Sequence, residues 1–279
     1  MREVPIVTVP LFRELNSSLV ELLGSLTQEE WNTPTLFPSW KVKDVAAHLL
    51  DTSIRRLSQQ RDGYQSTAEV ELPSYRALVE FVTKMADRWA DALGGVSPRI
   101  LVEMISTYQD QLSDMMEAAD PFDTAHFSVV WAGEETSENW FDFAREYTER
   151  WLHQMHVADA LERPSKLLEP RLYKPLLDTF MQALPHHYRL FDPEKGTQYR
   201  FVVDGEAGGE WTIELDGTRW AFTTENRLEQ TDSVITLPEK IAWKILSKGI
   251  PRAEALSALS WEGEESVARH LLSMSCVMV

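Results

Sequence analysis

Apolar residues recur at helical spacing through the first two thirds of the chain, then alternate with polar ones in short runs. Phe12, Leu15, Leu19, Leu22, Leu23 and Leu26 follow the i, i+3, i+4 rhythm of one buried helical face. Thr27-Gln-Glu-Glu30 has the form of a capping box and predicts a short helical turn. Pro34 and Pro38 mark Asn32–Trp40 as loop. Val45, Leu49 and Ile54 predict a second helix from about 42 to 60. Leu78, Phe81, Val82, Met85 and Trp89 predict a third that stops at Gly94-Gly95. A fourth opens near Pro98, a residue suited to a first helical turn, and carries Ile100, Leu101, Met104, Ile105, Tyr108 and Leu112. After an irregular stretch from 120 to 138, further helices are expected over about 138–161 and 170–187.

Near residue 192 the pattern changes. Asp192-Pro-Glu-Lys-Gly196 reads as a turn-rich linker, followed by strand-like runs at Tyr199–Val203, Trp211–Leu215 and Arg219–Thr224. Asp216-Gly217 between the last two is a hairpin signal. A fourth run, Ser233–Leu237, leads into a helix opening at Pro238, and shorter helices are expected near 252–259 and 264–275. Helices, then strands, then helices predict an α+β chain: an all-α domain over 1–192 and a separate small α+β domain over 193–279. There is no internal repeat and no low-complexity tract.

Composition narrows the function classes. The 279 residues include 43% hydrophobic and 25% charged positions, enough apolar surface to build a core. Asp and Glu outnumber Lys and Arg by 44 to 27, giving a formal charge of -17. Such a surface repels polyanions, so no nucleic-acid partner is expected. The single cysteine, Cys276, excludes an internal disulfide and is expected to be buried and inert in its apolar tail. Single-cysteine usage fits a reducing cytoplasm. No apolar run approaches the roughly 20 residues of a membrane span, and Glu3 stands where a basic signal region would be. A cytoplasmic protein with no membrane partner is therefore expected.

The candidate chemistry lies in Thr148-Glu-Arg-Trp-Leu-His-Gln-Met-His-Val-Ala-Asp-Ala160. Glu149 and His153, four apart, share one helical face. They could be half of a metal site, or an exposed pair with His156 as a solvated neighbour. A third donor would have to come from elsewhere. His48 is unusual, because Val45-Ala-Ala-His-Leu-Leu50 is otherwise apolar or small. It could be a metal donor, or a core histidine bonded to a carbonyl or carboxylate. His126 lies in the irregular stretch, and His186-His187 at a helix end, where a solvated histidine assisting the C-terminus is expected.

Two motifs carry a family resemblance. Leu26-Thr-Gln-Glu-Glu-Trp31 with Pro34-Thr-Leu-Phe-Pro-Ser-Trp-Lys-Val-Lys-Asp-Val-Ala-Ala-His-Leu49, and Glu149-Arg-Trp-Leu-His153 with Val157-Ala-Asp-Ala160, resemble the maleylpyruvate isomerase-like, mycothiol-dependent enzymes of the DinB-like superfamily. The resemblance implies an up-down four-helix bundle that holds a divalent metal through His48, Glu149 and His153. It also implies a sterol-carrier-like domain toward the C-terminus. Three positions depart from the pattern. His156 stands where many relatives carry aspartate, leaving it as a fourth ligand, a group that orients a ligand, or an exposed residue. Lys41 replaces a helix-capping Thr or Ser, so Ser39 caps the helix or the cap is weaker, and Ser39 itself replaces a glycine.

Two imidazoles and one carboxylate leave positions open on zinc, the default metal, with nickel as the alternative. By resemblance, the cofactor is a low-molecular-weight thiol such as mycothiol, whose thiolate attacks a small electrophile. Addition to a conjugated double bond, rotation and elimination give isomerisation; in other relatives the thiol is transferred. The rival reading is a binding protein that shelters an apolar ligand in the C-terminal domain. No arginine is assignable to the site from sequence, although a dicarboxylate substrate would favour one. Trp31, Trp40, Trp131, Trp140 and Trp151 are core, or the lining of an apolar pocket. The sequence leaves the oligomeric state open between monomer and dimer.

Overall fold

The helical rhythm of the first half becomes five long helices in the computed structural model, which describes residues 2–37, 39–64, 74–224 and 231–274. They are α1 (Phe12–Gly24), α2 (Val42–Arg56), α3 (Tyr75–Leu93), α4 (Pro98–Ala118) and α5 (Asn139–Ala160). Residues 57–61 prolong α2 as a π-helical turn, so the expected end near 60 falls where the helix widens. Residues 1–126 and 138–165 form one compact unit. Within it α2 packs on α3, α4 and α5, and α1 packs on α4 and α5. Leu19, Leu23, Val45, Leu49, Leu101, Ile105 and Val157 meet in its core. The buried Asn16 side chain ties α1 to α4 by donating to the Gln109 carbonyl and to Ser113 Oγ.

Local chemistry sets the entry to α2. Thr27 and Glu30 bond reciprocally, as a capping box requires. The Asp44 carboxylate then reaches back to accept the Lys41 N–H at 2.9 Å. A lysine at the cap position offers no oxygen, so the third residue of the helix, and not Ser39, supplies the side-chain contact. Val42 N–H to the Thr33 carbonyl and Thr35 N–H to the Trp40 carbonyl close the preceding loop into a tight hairpin.

Residues 127–137 and 166–278 form the second unit. It contains α6 (Pro170–Met181), α7 (Leu184–His187), β1 (Gln198–Asp204), β2 (Gly209–Leu215), β3 (Trp220–Phe222) and β4 (Ser233–Pro238), then α8 (Glu239–Leu246), α9 (Arg252–Ala258), β5 (Ser260–Glu262) and α10 (Glu265–Leu271). The sheet order is β3-β2-β1-β4-β5, with β1 and β4 parallel and the other neighbours antiparallel. In the β2–β3 turn, Asp216 Oδ1 accepts the N–H groups of Thr218 and Arg219, and Gly217 takes φ +106°. The α+β class expected from the pattern is the one observed.

Several expectations need correction. The division expected at 192/193 differs from the way the chain packs, because α6, α7 and the stretch 127–137 belong with the sheet. Tyr173 on α6 shows why: its hydroxyl donates to the Glu239 carbonyl and accepts the Trp243 N–H of α8. Gly133 holds 127–137 against α7; a Cβ there would lie 2.2 Å from His186 Nδ1. The single helix expected over 170–187 is broken at Gln182-Ala183, since Pro185 has no N–H for the Met181 carbonyl. Strand β5 lies outside the expected strand runs and forms one edge of the sheet. His187 is not a solvated terminal histidine. Its ring stacks on His270 at 4.0 Å, and each Nε2 bonds the other residue's backbone carbonyl. Cys276 and the end of the helix expected over 264–275 lie outside the described residues.

Candidate metal centre

Two neighbouring helices of the first unit place the candidate ligands. The apolar face of α2 carries His48 inward, and its relative exposure is 5%. On α5, where nearly every side chain is buried, Glu149 and His153 stack one turn apart. His48 Nε2 lies 2.7 Å, and His153 Nε2 3.1 Å, from the same oxygen, Glu149 Oε1. One ligand atom from each of the three falls within 4.8 Å of the others. The alternative of an exposed Glu149–His153 pair does not hold, because His153 is only 8% exposed.

Burial pushes the His48 imidazole down, against the Glu149 hydrogen bond that pulls it up, so its neutral form dominates. Burial also acts to raise the Glu149 carboxyl, but His153 and His48 override it and hold the group well below the usual carboxylate range. A neutral imidazole and an ionised carboxylate are the states in which these groups donate to a metal. The donor set and its convergence therefore fit a divalent cation.

The two imidazoles pack among aromatic side chains. Ligating histidines commonly fix their second nitrogen on a carbonyl or carboxylate. Here Nδ1 of His48 and of His153 are buried with no hydrogen-bond partner among the described residues. Aromatic side chains pack against both rings. Trp40 lies 5.0 Å from the His48 ring and stacks over His153 at 6.1 Å, and Phe37 meets His153 at 5.9 Å. Both aromatics come from the hairpin before α2.

His156 is 3% exposed, which removes the solvated option. Its ring stands edge-on to Phe37 at 4.8 Å and 5.4 Å from His153, outside the cluster of three. His126 is exposed. Of the five tryptophans considered, Trp40 packs on the histidines. Trp31 and Trp151 are core of the same unit, Trp140 stacks on Phe141, and Trp131 belongs to the other unit.

Sequence reading missed the arginines. Arg56 of α2 and Arg145 of α5 both donate to Asp142 Oδ1, at 2.6 and 2.7 Å. Arg150 lies 3.0 Å from Glu146 Oε1 and donates to Ser53 Oγ. Arg55 pairs bidentately with the fully buried Asp51, one turn beyond His48. Burial acts to raise Asp142, but Arg56 and Arg145 hold it below its ordinary value. The i, i+4 spacing of Arg145 and Glu149, the same spacing that singled out His153, was the available signal.

Residues 12–158 match the family model for the mycothiol maleylpyruvate isomerase N-terminal domain, a span that contains His48, Glu149 and His153. The chain belongs to this family. The isomerase family is one of enzymes, and the α+β architecture agrees with two solved structures. One is the mycothiol-dependent maleylpyruvate isomerase as a point mutant, with a TM-score of 0.52, 11% identity and 92% of each chain covered. The other is the same isomerase unmutated, with a TM-score of 0.52, 12% identity, and 86% of this chain and 87% of that one covered. At these identities the likeness establishes the fold. No curated protein matches the chain. Among the described residues, no helix is long and apolar enough to cross a membrane.

Proposed function

We propose that this protein is a cytoplasmic, divalent-metal-dependent enzyme that uses a low-molecular-weight thiol, mycothiol or a close analogue, on a small electrophilic substrate. Isomerisation of the maleylpyruvate type is the favoured reaction, with thiol transfer as its variant. The carrying observation is the convergence of His48 Nε2, His153 Nε2 and Glu149 Oε1 in a mostly buried site with a neutral His48 and an ionised carboxylate. His48, Glu149 and His153 would hold the metal, zinc by default and nickel as the alternative. A cation bound there would act as a Lewis acid that favours the thiolate form of a bound thiol near neutral pH. Trp40 and Phe37 keep the two imidazoles aimed at one point and exclude water from one side. His156, buried against Phe37, supports the packing of His153. Family membership weighs against a protein that only binds an apolar ligand, and the sheet unit is read as the sterol-carrier-like domain.

Metal analysis of protein purified without chelator tests the first step. About one equivalent is expected after zinc addition; below about 0.2 per chain, for a site of this donor set, the reading fails. His48→Ala and His153→Ala should each lose the metal, while His156→Ala should retain it. A thermal shift with mycothiol then tests the thiol, since a ligand at 100 times its Kd stabilises by about 2.7 kcal/mol. Silence from mycothiol and other cellular thiols would remove the thiol-transfer reading while leaving the metal site.

A further inference from the structure

Trp40 is held at both ends. The hairpin before α2 fixes its backbone: the Trp40 carbonyl accepts from the Thr35 N–H at 2.9 Å and from Thr35 Oγ1 at 3.0 Å, and the Trp40 N–H donates to the Phe37 carbonyl at 2.9 Å. At the far end of the side chain, the indole Nε1, a group that can only donate, reaches Asp87 Oδ1 on α3 at 3.1 Å. A tryptophan side chain turns about two torsions, so a fixed backbone and a fixed N–H narrow the ring to one orientation.

In that orientation the indole meets both histidines of the candidate site. Its ring lies 5.0 Å from His48 and 6.1 Å from His153, stacked on the latter at 30°. Nδ1 of each imidazole has no hydrogen-bond partner among the described residues, so no polar anchor sets either ring torsion from that side. Asp87 in turn sits on a supported element. Its neighbour Ala86 is buried, α3 packs along α2, and Lys43 Nζ donates to the carbonyl of Gly94 just past the end of α3 at 2.6 Å. Asp87 itself is exposed, so burial does not force its carboxylate to find a donor. The bond it makes is charge-assisted, the stronger kind.

We propose that Asp87 is a positioning residue of the metal centre, which acts through the Trp40 indole to hold the His48 and His153 rings in the orientation that binds the ion. α3 thereby becomes a third helix of a site whose ligands come from α2 and α5. Asp87 touches neither metal nor substrate; its effect is to remove the cost of ordering two imidazoles when the ion arrives. The inference rests on the metal reading above and is independent of the thiol and of the substrate.

Two measurements on the full chain test it: zinc affinity by competition with a chromogenic chelator, and the visible spectrum of the cobalt-loaded protein, which reports the ligand arrangement around the ion. Asp87→Ala should weaken zinc roughly threefold or more, as loss of one hydrogen bond allows, and alter the cobalt bands. Asp87→Asn keeps an acceptor oxygen while removing the charge, and should restore both readouts to near wild type. Trp40→Phe keeps an aromatic ring without the N–H and should resemble Asp87→Ala; adding Asp87→Ala to it should cost nothing further. Wild-type zinc affinity and spectrum in Asp87→Ala, or additive losses in the double variant, would overturn the proposal. Equal losses in Asp87→Asn and Asp87→Ala would also overturn it, since the effect would then be one of charge alone. Should Asp87→Ala not fold, Trp40→Phe with and without Asp87→Asn decides it, the added substitution being expected to change neither readout. A wild type that takes up neither zinc nor cobalt would overturn the metal reading and this inference together, an outcome visible before any variant is made.

Discussion

At the scale of single residues, Trp40 packs against the rings of both His48 and His153. Trp40→Ala should therefore leave all three donors in the chain yet loosen their aim, and tenfold weaker zinc binding is expected in a competition titration with a chromogenic chelator. Asp142 makes a contrasting case. Its carboxylate is fully buried and receives two guanidiniums, so Asp142→Asn leaves buried positive charge uncompensated and should cost about 3–5 kcal/mol in urea unfolding. His187 gives a pH signature. Burial pushes its imidazole down to about 4, against the raising effect of its bond to the His270 carbonyl. A group depressed on folding contributes stability in full above its unfolded value near 6.5, and that contribution is lost as pH falls through 4. Urea midpoints measured from pH 7.5 to 4 should fall across this window, and His187→Gln should flatten the fall.

At the scale of elements, α1 to α4 were legible because each has an apolar face that sets a 3.6-residue period, whereas α5 is buried nearly all round. The same period placed Glu149 and His153 together on α5, and the apolar neighbours of His48 marked it as buried. Legibility failed where a single residue overrides a period, as Pro185 does between α6 and α7. Arg56 was missed for another reason: its partner Asp142 lies on a different helix, and sequence spacing reports only one helix at a time. α6 shows the same limitation, since its amphipathic pattern does not say which unit it serves. Tyr173→Phe removes two bonds to α8 and should destabilise the protein by about 1–3 kcal/mol without changing zinc content. An unchanged urea midpoint would mean that α6 is not held by that hydroxyl.

At the scale of the molecule, the -17 charge is an average over the chain and does not describe the interior. Inside the bundle, Arg56 and Arg145 pair with Asp142 and Arg150 pairs with Glu146. The arrangement of the chain has a further consequence. Residues 127–137 belong to the sheet unit but sit in sequence between α4 and α5. During synthesis they leave the ribosome before α6, α7 and the strands they pack with, and the helical unit must close around their two ends while they wait. No single cut yields both halves intact: a fragment beginning at 193 would lack Tyr173, His186 and Gly133. Nascent chains arrested before residue 166 should therefore remain protease-sensitive at 127–137 and gain protection there only once the second half has been made.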